Sequence, residues 1–166
     1  MDFTLSKYES LLKTIQSYNI PVYKIKDAIQ TPPRKGIIIR HDVDRLPKNA
    51  LNMARLENKY NIFTTYYFRI KKHTFKPAVI NKIANLGHEI GYHYEDLSTV
   101  KGNYQKAIKS FENNLNQFRQ LFPVKTIAMH GKPLSKYDNL TLWDHYDYKK
   151  FNLAGEAFLT IDYSAR

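Results

Sequence analysis

The chain has 166 residues, a length that suits one domain, with 43% hydrophobic residues and a formal net charge of +11. It contains no cysteine, which excludes disulfides and thiolate metal sites, so a bound metal would have to rely on imidazole, carboxylate or backbone oxygen. The basic residues are dispersed, in runs no longer than pairs such as Lys71–Lys72 and Lys149–Lys150, which argues for general attraction to acidic partners rather than specific nucleic-acid binding.

The first residues, Met1 to Tyr18, carry Asp2, Lys7, Glu9 and Lys13 where a signal peptide would have an apolar stretch. No run approaches the ~18 apolar residues of a spanning helix. These features predict a cytoplasmic protein with no membrane insertion.

Leu5, Tyr8, Leu11, Leu12, Ile15 and Tyr18 fall at helical spacing and predict an amphipathic helix over 4–18, with Ser6 and Glu9 as a capping box. Residues 20–36, with Pro21, Pro32, Pro33 and Gly36, read as a connector. The β-branched run from Gly36 to His41 predicts a strand buried on both faces, as in a parallel sheet. A helix over 47–60 opens on Pro47. A second strand is expected over 62–68, and a helix over 77–86 opened by Pro77 and closed by Gly87. A third strand is expected from Glu89 to His93. Tyr104, Ala107, Ile108, Phe111, Leu115, Phe118 and Phe122 form one stripe of a helix over 103–122, stopped by Pro123. Val124 to Met129 reads as a fourth strand and Ala157 to Ile161 as a fifth, with mixed signals over 137–153. Alternating strands and helices predict a single α/β domain with parallel strands: an N-terminal helix and connector over 1–36, then a β/α core over 37–166.

Polar residues collect just past the expected carboxyl ends of these strands: Asp42 and Asp44, Arg69, His93 and Glu95, and His130. Active sites of parallel α/β proteins lie on that edge. Carboxylates and imidazoles on one rim suit a divalent ion, zinc above others, with a coordination position left open for water. A second carboxylate can then act as base toward that water. A lone Asp here could equally cap the following helix. His41 alternates with Asp42 and is expected to face away from the site. His88 is expected to serve a structural hydrogen bond, and His73 and His145 to lie on the surface.

Ile39-Arg40-His41-Asp42-Val43-Asp44 resembles the first motif of the polysaccharide deacetylase (NodB-homology) family, usually Thr-Phe-Asp-Asp-Gly. Gly87-His88-Glu89-Ile90-Gly91-Tyr92-His93-Tyr94 resembles its second, Gly-His-Glu-Ile-Gly-Asn-His-Thr. The resemblance covers roughly residues 37–145 and is closest to a divergent branch associated with bacterial surface-polysaccharide synthesis. It implies a distorted β/α barrel and metal-dependent removal of an acetyl group from an N-acetylated sugar. By position, Asp42 is the base and His93 a metal ligand. The family's usual second Asp falls on Val43, so Asp44 supplies the metal carboxylate. The family's second His falls on Leu97, so the third ligand must come from elsewhere: His130 first, with Glu95 and His88 as alternatives. Glu95 or a histidine would protonate the leaving amine, and Arg40, Tyr92 and Lys132 would bind substrate. The family domain runs on to further strands, so the sequence predicts an incomplete barrel whose open edge a second copy could cover. The rival reading is a catalytically inactive glycan-binding or assembly relative of the same fold.

Overall fold

A computed structural model describes residues 4–131 and 134–161. Helix α1 (Leu5–Ser17) is capped by Thr4, whose side chain accepts from the Lys7 N–H, rather than by the expected Ser6–Glu9 box. The presumed connector holds a short strand, β1 (Val22–Tyr23), and a helix, α2 (Ile25–Gln30). The run 36–41 is divided between two sheets. Strand β2 (Ile37–Ile38) pairs with β1, and β3 (Arg40–Val43) opens the main sheet. There follow α3 (Pro47–Lys59), β4 (Thr65–Phe68), α4 (Pro77–Asn85), β5 (Glu89–Tyr94), α5 (Asp96–Thr99), α6 (Tyr104–Arg119) and β6 (Thr126–Met129). Short helical turns, including α7 (Leu142–His145), lead to β7 (Gly155–Glu156) and α8 (Ala157–Thr160).

The main sheet has five strands in the order β3-β4-β5-β6-β7, all neighbours parallel. The α/β class and the parallel pairing therefore match the sequence reading. The fifth strand does not: it is Gly155–Glu156, and the segment predicted as strand is helix α8. The cause is local, because the Glu156 carboxylate accepts from the N–H groups of Phe158 and Leu159 and so caps a helix where the apolar run begins.

Strand alternation gives the sheet two distinct faces. Tyr66, Phe68, Ile90, Tyr92, Tyr94 and Ile127 face α3, α4 and α6 and form the main core with Ala54, Ile83, Phe111 and Phe118. The other face carries Tyr67, Gly91 and Ala128, and it is covered by Ile25 of α2 and Ala157 of α8. Gly91 is required here, since a Cβ would lie 2.2 Å from the Tyr67 ring that crosses it. The Tyr67 hydroxyl donates to Thr126 Oγ1 at 2.9 Å. The buried Glu89 carboxylate accepts from Thr65, Thr126 and the Lys26 N–H, so this face is stitched by hydrogen bonds as well as apolar contact. No helix among the described residues is long and apolar enough to cross a membrane.

Candidate metal centre

The carboxyl ends of β3, β5 and β6 bring three side chains to one point above the second face. Asp44 follows β3, His93 lies in β5, and His130 follows β6. His93 Nε2 is 3.4 Å from Asp44 Oδ1 and 3.3 Å from His130 Nδ1, and His130 Nδ1 is 2.9 Å from Asp44 Oδ1. These three atoms form a group able to hold a metal ion. Asp42 Oδ2 stands 3.9 Å from His93 Nε2, at the rim of the group.

The rings are held from behind. His93 Nδ1 lies 2.9 Å from the Ala128 carbonyl, which fixes the proton on Nδ1 and turns the Nε2 lone pair toward the site. His130 is clamped through its backbone: its N–H donates to the Tyr94 carbonyl, and its carbonyl accepts from Asn139 Nδ2 at 2.8 Å. Asn139 is buried and also accepts from the Ser98 N–H. Asp44 Oδ1 is sealed from solvent, yet neither imidazole is in line to donate a hydrogen bond to it. A sealed carboxylate oxygen with no hydrogen-bond donor, facing two ring nitrogens, suits a cation held between them.

Electrostatics suit that role. Burial would raise the Asp44 carboxyl, but the close approach of His93 and the neighbouring His130 and Arg69 outweigh it and hold the group below its usual range. Burial lowers His130, with the Asp44 charge opposing that shift.

The remaining sequence-predicted residues separate. Arg40 is on the site face, where its Nη2 donates to Asp42 Oδ2 at 3.1 Å. Glu95 is not free to complete the centre, because Arg69 Nε and Nη2 take its two oxygens at 2.8 Å each and Lys71 adds a third contact at 3.3 Å. Tyr92, expected to bind substrate, is corrected to core. It alternates with His93 and so turns to the opposite face, packing on Phe111 and Phe118 with its hydroxyl donating to Asp96. His88, the other alternative ligand, is structural: Nδ1 accepts from the Thr64 N–H and Nε2 faces the Ala54 carbonyl at 3.0 Å. Lys132 lies outside the described residues.

A second polar cluster, absent from the sequence reading, lies on the helix face. The fully buried Glu57 carboxylate accepts from Tyr8, from Thr64 at 2.9 Å and from Tyr66 at 2.7 Å, with His41 Nε2 at 2.6 Å. Its signal was an acidic residue continuing the apolar register of Ala50 and Ala54 in α3.

No protein-family model, curated protein or solved structure matches the chain.

Proposed function

We propose that the chain is a metal-dependent hydrolase that removes an acetyl group from an N-acetylated sugar of a bacterial surface polysaccharide or its precursor. The observation that carries this reading is the triangle of Asp44, His93 and His130. Ligand atoms ~2.0–2.1 Å from a tetrahedral zinc lie about 3.3 Å from one another. The three edges here measure 2.9, 3.3 and 3.4 Å. Two imidazoles and one carboxylate form the donor set of catalytic rather than structural zinc, with the fourth position open. The motifs from Ile39 to Asp44 and from Gly87 to Tyr94 support the sugar amide as substrate.

Zinc held there supplies polarisation of the amide carbonyl and acidification of a water. Asp42, at the rim of the triangle, takes the proton of the attacking water as the hydroxyl adds to the acyl carbon. It returns a proton to the leaving nitrogen as the C–N bond breaks, releasing acetate and the amine. Arg40, whose Nη2 donates to Asp42 Oδ2, keeps that carboxylate aimed. Glu95, engaged on both oxygens by Arg69, acts through Arg69 rather than as the proton donor.

The finer fold belongs to the same proposal: a distorted β/α barrel. Arg40 of edge strand β3 stacks over the ring of Phe158 in α8, just past edge strand β7, at 4.2 Å, a contact that supports this reading.

The test is zinc loading followed by assay of acetate release from N-acetylated oligosaccharides. Asp42→Asn should keep its zinc and lose roughly 10²–10⁴-fold in turnover. Equal turnover by that variant would overturn the base assignment. Zinc bound at the triangle with no acetate released from any acetylated sugar would favour the non-catalytic relative.

A further inference from the structure

A cleft of about 680 Å³ opens beside His130, between the ends of β4, β5 and β6. Arg69, Lys71, Lys101 and Lys136 line it, against the single carboxylate of Glu95. The bidentate Arg69–Glu95 pair and the Lys71 contact absorb that carboxylate. Among the described residues, Lys101 and Lys136 form no ion pair, although they face the same hollow.

Cations lining one concave wall in excess of its carboxylate focus a positive potential that draws an anion. The wall is built to hold them there. Lys101 adopts a left-handed backbone, φ 55°, next to Gly102 at φ 82°. A Cβ on Gly102 would lie 2.4 Å from the Tyr137 ring, so the turn carrying Lys101 is pressed directly on the segment carrying Lys136. The left-handed turn closes α5, with the Gly102 N–H donating to the Leu97 carbonyl, and so sets Lys101 at the cleft lip.

We infer that this cleft binds an anionic group of the substrate, a phosphate or carboxylate on the sugar whose acetamide reaches the metal triangle. The inference rests on the proposed hydrolase reading and narrows its substrate from acetylated sugars in general to acidic ones. The site combines a hard cation centre for the amide with a lysine-lined subsite for the charge, so neutral acetylated sugars lack half of the recognition.

The experiment measures binding of three probes to metal-free protein at physiological ionic strength: N-acetylglucosamine, N-acetylglucosamine phosphate and N-acetylmuramic acid. Leaving the metal out prevents the anions from binding to zinc itself. At least one anionic sugar should bind about tenfold or more tightly than the neutral one, the scale of hydrogen bonds to charged groups. Whichever anionic probe is preferred identifies phosphate or carboxylate as the source. The double variant Lys101→Ala, Lys136→Ala should lose the preference while retaining the parent's zinc stoichiometry and melting temperature. Equal binding of all three sugars, or a preference that survives the double variant, overturns the inference. A parent that binds zinc but shows no anion preference sinks this inference alone. A parent that prefers the anion but binds no zinc sinks the metal reading alone.

Discussion

Each face of the sheet carries a cluster in which a carboxylate meets two histidines, and the two clusters are finished in opposite ways. Around Glu57, every lone pair has a donor: Tyr8, His41, Thr64 and Tyr66 converge on it, while His88 spends its nitrogens on the Thr64 N–H and the Ala54 carbonyl. Around Asp44, the carboxylate oxygen has no donor in line and two ring nitrogens face it and each other. One carboxylate and two imidazoles thus make a closed structural knot on one face and, on the other, a group that could hold a metal ion. Satisfaction of hydrogen bonds, not composition, separates the two clusters.

The largest contrast is expected from removing each carboxylate. Asp44→Ala should weaken zinc binding by more than about a hundredfold, beyond the effect of losing an outer-shell partner, and equilibrium dialysis with elemental analysis measures this. The same substitution should shift metal-free stability by less than about 1 kcal/mol. Glu57→Ala should do the reverse, costing about 3–5 kcal/mol in urea unfolding because His41 and three hydroxyls are left unpaired in a dry core. Similar stability losses for the two variants would erase the distinction. Asn139→Ala removes the donor to the His130 carbonyl and should lower zinc affinity about tenfold, read by competition with a chelator. Tyr8→Phe deletes one donor to Glu57 and should cost roughly 1–2 kcal/mol, loosening α1.

The smallest effect is a pH dependence. Burial outweighs the Glu57 charge and pulls His88 below its ordinary 6.5. A lowered histidine binds its proton in the unfolded chain before the folded one, so its contribution is full above pH 6.5 and fades as pH falls through the folded value. The stability advantage of the parent over His88→Gln should therefore be greatest above pH 6.5 and shrink below it. An advantage that grows on acidification would show the ring to be charged in the fold.

The sequence made the long elements readable, and the reasons are physical. Pro47 and Pro77 open α3 and α4 at their first positions, and the aromatic stripe of α6 is buried as its spacing requires. Asp44, His93 and His130 were legible because each lies near or just past the carboxyl end of a strand, and parallel strands deliver their ends to one edge. Short elements were not legible: β1, β2 and β7 have two residues each, too few for any period to register. The error on Tyr92 was avoidable. The alternation that sets His41 apart from Asp42 also sets Tyr92 apart from His93. Glu57 was missed because an acid in an apolar helical register looks solvent-exposed until the tyrosines and histidine that surround it are folded into place.

Strand β3 ties the two clusters together, since His41 and Asp42 are consecutive and leave it on opposite sides. Inserting or deleting a single residue ahead of them would exchange the two, driving a carboxylate toward Glu57 and an imidazole toward the ligand set. The four-residue strand therefore cannot change its count without exchanging what each face receives: two clusters are written on it in one reading frame.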